Sequence, residues 1–76
     1  MMQPSYIMTN IIEAAKIKQQ EHFINVFAML KNPTAIPEHT SLVDAVRQEL
    51  RLASEQRDII EAVMDFKDKH IEDGIY

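Results

Sequence analysis

The chain has 76 residues, no cysteine, one glycine and a formal net charge of −4. That length admits a single domain, one that buries only about 60% of the surface its unfolded chain exposes. Without cysteine there is no disulfide or cysteine–zinc staple to supplement the core, so the missing burial is expected to come from a second chain. No apolar run approaches the roughly 20 residues of a membrane span. No basic stretch followed by an apolar one opens the chain. A cytoplasmic protein with no membrane contact is therefore the expectation.

Read in chain order, the sequence predicts two helices and a short connection, an all-α antiparallel helical hairpin. The first helix is expected over residues 5–31. Pro4 or an Asn10–Glu13 capping box marks its start, and Asn32 followed by Pro33 marks its end. Met8-Thr9-Asn10 reads as an alternative translation start. Residues 32–40 form the connection. The second helix is expected over 41–73, capped by Thr40 or a Ser41–Asp44 box and closed by Gly74 in a left-handed conformation, with Ile75 beside it.

Apolar residues recur at helical spacing in both segments. Met8, Ile11, Ile12, Ala15, Phe23, Val26, Met29 and Leu30 share one side of the first. Leu42, Val46, Leu50, Ala53, Ile60, Met64 and Ile71 share one side of the second. Folding at the connection brings the stripes together in one register, in which facing residue numbers sum to 72.

More apolar residues remain. Leu52, Ile59, Val63 and Phe66 form a further stripe on the second helix, about 100° round from the first. Ile17, Ile24 and Phe27 do the same on the first helix. A lone hairpin has nothing to bury them against. These seven residues are the expected oligomer interface, and a homodimeric four-helix bundle is the simplest assembly that covers them.

Polar residues interrupt the main stripe. In the stretch KIKQQEHF, Gln19 sits mid-stripe and His22 at its edge, while Arg57, with Gln56 beside it, falls in the apolar arc of the second helix. Such a layer fixes register and oligomer state. The alternative is a pocket of Gln19, His22 and Arg57 that holds a small anionic ligand.

Acids gather toward the C-terminus, seven against three lysines and arginines from Glu55 onward, whereas the first 54 residues balance. Asp58, Glu61, Asp65, Asp68 and Glu72 share one face. They read as a solvated surface or as a docking face for a larger protein with a basic surface. This distribution opposes direct nucleic-acid binding.

Nothing in the chain assembles a catalytic group. Ser5, Ser41 and Ser54 have no histidine at helical spacing, one glycine cannot build a phosphate loop, and the histidines lack the close pairing of a zinc site. No metal or cofactor is expected. The expected function is non-enzymatic: a small regulator, adaptor or inhibitor acting through a helical surface. An acidic mimic that blocks a nucleic-acid-binding protein is a further alternative.

Overall fold

The structure, a computed structural model, describes residues 4–32 and 39–70. Two helices account for them, α1 over Pro4–Lys31 and α2 over His39–His70, packed against each other along the chain. Pro4 is the first helical residue, where its fixed φ suits the helix and its missing N–H goes unused. The Asn10–Glu13 and Ser41–Asp44 pairs therefore lie inside the helices rather than capping them. Thr9 Oγ1 donates to Ser5 O at 2.9 Å, the ordinary use of a threonine within a helix. At the far end the Asn32 N–H reaches Ala28 O at 3.0 Å. Pro33, next in the sequence, has no N–H with which to extend the ladder. The second helix begins at His39, two residues before the expected 41. Its expected continuation to 73, the Gly74 cap, and Ile71, Glu72 and Ile75 all lie outside the described residues.

The molecule is a rod of 54 × 20 × 16 Å with a radius of gyration of 17.0 Å. A compact chain of this length would have a radius near 11 Å. A single seam between two helices is the whole core. Ile12, Ala15, Ala53 and Val63 are its buried hydrophobic residues among those described.

The seam follows a stricter period than the apolar stripes suggest. On α1 the shielded positions are Met8, Ile12, Ala15, Gln19, His22, Val26 and Met29. On α2 they are Leu42, Val46, Glu49, Ala53, Gln56, Ile60, Val63 and Lys67, with Ala45, Leu52 and Ser54 beside them also partly shielded. The α1 series and those eight α2 positions alternate steps of four and three residues, the heptad repeat of helices that pack at a shallow angle. The His22–Glu49 hydrogen bond sets the register, within one residue of the expected one. Counting outward from it, Val26 lies level with Val46, Met29 with Leu42, Gln19 with Ala53, Ala15 with Gln56, Ile12 with Ile60 and Met8 with Val63.

This pattern corrects the two stripes read from composition. Ile11, Phe23, Leu30, Leu50 and Met64, expected inside, are exposed. Each stands one position off the heptad seam and so flanks the contact. Val63, expected in the oligomer interface, is only 8% exposed and belongs to the intramolecular core.

Candidate interaction surfaces

The centre of the seam is polar. Gln19 and Gln56 each lie level with an alanine, Ala53 and Ala15, the two most buried residues described. A small residue opposite a long amide lets the helices approach closely while the glutamine side chain fills the space beside the methyl group. Next along the seam, His22 Nδ1–H donates to Glu49 Oε2 at 2.6 Å, with both side chains over four-fifths buried. Asn25 Nδ2 donates to the same oxygen at 3.4 Å. The His22 bond holds the Glu49 carboxyl below its ordinary value of 4.5. Burial opposes this shift, and the Asn25 bond and the His22 charge add to it.

Of the expected polar layer, Gln19 and His22 are therefore in place and Arg57 is not. Arg57 stands one position off the seam. Its side chain is 62% exposed and lies 3.9 Å from Glu61. Gln56 takes the seam position beside it. Glu49, the layer's central acid, escapes a reading that follows hydrophobes alone, although it continues the heptad series from Val46. No described side-chain polar atom is buried without a partner, so the layer asks for no ligand to complete it.

The expected oligomer residues do not share one face. In an antiparallel pair, residues that follow seam positions such as 22, 29, 42, 49 and 63 line one edge of the hairpin. Residues that precede 12, 46, 53, 60 and 67 line the other. The first edge carries Phe23, Leu30, Val43, Leu50 and Met64, and the second carries Ile11, Ala45, Leu52, Ile59 and Phe66. Leu52, Ile59 and Phe66 thus lie on the second edge. Phe27 lies beside the first, one helical turn from Phe23. Ile17 and Ile24 sit on the back of α1, opposite its seam, and are exposed.

The two edges differ in charge. Around Ile11 and Ile59 the neighbours are Ile7, Ala14 and Ala62, all exposed and uncharged, while Phe66 lies against His70 with ring centres 4.7 Å apart and Lys18 stands on this edge at mid-length. The first edge has Lys16 and Arg57 at mid-length and Arg47 beside Leu50. A shallow depression there is lined by Asp44, Arg47, Gln48, Leu50, Arg51 and Ser54.

The expected acidic face is exposed at Asp58, Glu61, Asp65 and Asp68. Lys69 reaches Asp65 at 3.2 Å and Arg57 approaches Glu61, each from one turn away. Among the described residues no three histidine, aspartate or glutamate side chains converge on a metal-sized site. No helix among them is long and apolar enough to cross a membrane.

No family model, no curated protein and no solved structure matches this chain.

Proposed function

We propose that the chain is a small non-enzymatic adaptor or regulator that works through helix-mediated protein–protein contacts and assembles as a homodimer into a four-helix bundle. The observation that carries this reading is the surface the hairpin leaves uncovered. Thirteen large hydrophobic side chains among the described residues are exposed, more than scattered surface hydrophobes account for. The second edge suits a second copy. Ile7, Ile11, Ile59 and Phe66 are apolar, and the alanines permit close approach. The acidic face of α2 remains open in such a dimer and suits a larger protein with a basic surface.

Sedimentation equilibrium at micromolar concentration tests the assembly. A dimer is expected, dissociated by Phe66→Ala and retained by Lys67→Ala. A well-folded monomer at that concentration would overturn it. With a partner captured from the native host, Asp58→Lys/Asp68→Lys should slow association, and wild-type association should slow as salt rises.

A further inference from the structure

We propose that the first edge of the hairpin, over the half nearest the connection, is a docking groove for an acidic amphipathic helix of another protein. The groove lies between α1 and α2, walled by Phe23 and Leu30 on one side and by Val43 and Leu50 on the other. Their relative exposures are 45%, 61%, 44% and 44%. Half-buried Val26 and Val46 form its floor. Phe27, the most exposed large hydrophobic residue described, extends the α1 wall. Two parallel apolar walls at helical spacing are what the apolar stripe of a third helix needs.

Charge identifies the occupant. The protein as a whole is acidic, yet this groove is ringed by cations. Lys31 Nζ lies 5.8 Å from the Phe27 ring centre. Arg47 borders Leu50, and Lys16 and Arg57 close the groove at mid-length, Arg57 lying 3.9 Å from Glu61. These are four of the eight lysines and arginines in the chain; Arg51, next to Leu50, turns to Gln48 Oε1 at 2.6 Å. Among the described residues on that side, Asp44 lies beside Arg47 and Glu61 beside Arg57, while Glu49 is spent in the seam on His22. A helix with an apolar stripe flanked by acids would bury the walls and pair its acids with the rim. A basic helix would meet repulsion on every side.

Two hairpins packed in parallel on this edge would bring Lys16 and Arg57 against their own images. Packed antiparallel over their full length, they would set these cations against the half that carries Glu13, Glu61 and Asp68, so a second copy on this edge is the competing occupant. The groove and the homodimer edge are on opposite sides, so the two sites are independent.

The test uses the full chain and two fluorescein-labelled helical peptides of about 18 residues, long enough to span this half of the rod. Both carry leucine at i, i+3, i+4 and i+7. One has glutamate at the flanking positions and the other has lysine. Fluorescence anisotropy should show saturable binding of the acidic peptide, weakening as salt rises, and at least about tenfold weaker binding of the basic one. Lys16→Glu/Arg47→Glu alters only exposed side chains and should reverse that preference, with circular dichroism confirming an unchanged helix content. Equal affinities for both peptides, no saturation by the acidic one, or an unchanged preference in the double variant would overturn the proposal. So would a wild-type dimer that Leu50→Ser dissociates and Phe66→Ala leaves intact, because the groove would then belong to a second copy.

Discussion

The pair of His22 and Glu49 is the smallest unit that specifies this hairpin. A carboxylate held at 2.6 Å from an imidazole nitrogen inside a seam is costly to leave alone. His22→Leu should therefore destabilise the protein more than His22→Leu/Glu49→Leu, which removes both polar groups together. Chemical denaturation of the two variants beside the wild type measures the difference. The same pair gives a pH dependence of known sign. Glu49 has a folded-state carboxyl below 4.5, so the unfolded chain binds that proton more readily. The stabilisation is complete above about pH 4.5 and is lost as pH falls through the folded value. Urea unfolding between pH 3 and 7 should show this loss in the wild type and less of it in Glu49→Gln. Gln19 makes a weaker demand, since its layer is closed by Ala53 and its side chain is only half buried. Gln19→Leu should preserve or raise the melting temperature while relaxing the choice of register, read as a broader distribution of species in sedimentation.

At the scale of the helices, stability rests on a seam one side chain thick. Ile12, at 9% exposure, is the largest residue of the buried set on α1. Ile12→Ala should cost about 2–3 kcal/mol, the lower part of the range for such truncations, because one rim of the site is open to water. The alanines set the spacing between the helices. Ala53→Leu puts a branched side chain where the helices are closest and should cost about 1–3 kcal/mol. Ala28→Leu, on an exposed position of α1, should stay within about 0.5 kcal/mol of the wild type. Thermal unfolding of the three variants decides whether the seam or general helix propensity controls stability.

For the whole molecule the controlling quantity is surface. A rod two helices wide cannot cover its apolar flanks, and each large side chain buried by a partner contributes roughly 1.5–3 kcal/mol. Folding should thus be linked to concentration. The melting temperature is expected to rise with protein concentration across the micromolar range, and Phe66→Ala should flatten that dependence. A concentration-independent transition in the wild type would contradict dimerisation.

The helices, the antiparallel register and the presence of uncovered apolar surface were legible in the residues. They follow from local rules: a proline that opens the first helix, a proline that directly follows Asn32 in the sequence, and a period that places side chains by number. Glu49, Arg57 and Val63 were not legible in the same way. Each lies within one residue of the boundary between the seam and its flank, where a helical wheel of 3.6 residues per turn and a heptad of 3.5 assign different sides. Only the packing of α1 against α2 resolves that difference. It turns Val63 inward and Arg57 outward, and it gives Glu49 a partner 27 positions away. The division of the remaining apolar surface between two edges of different composition likewise comes from tertiary structure. It depends on which flank of one helix stands beside which flank of the other, and sequence order alone carries no such neighbourhood.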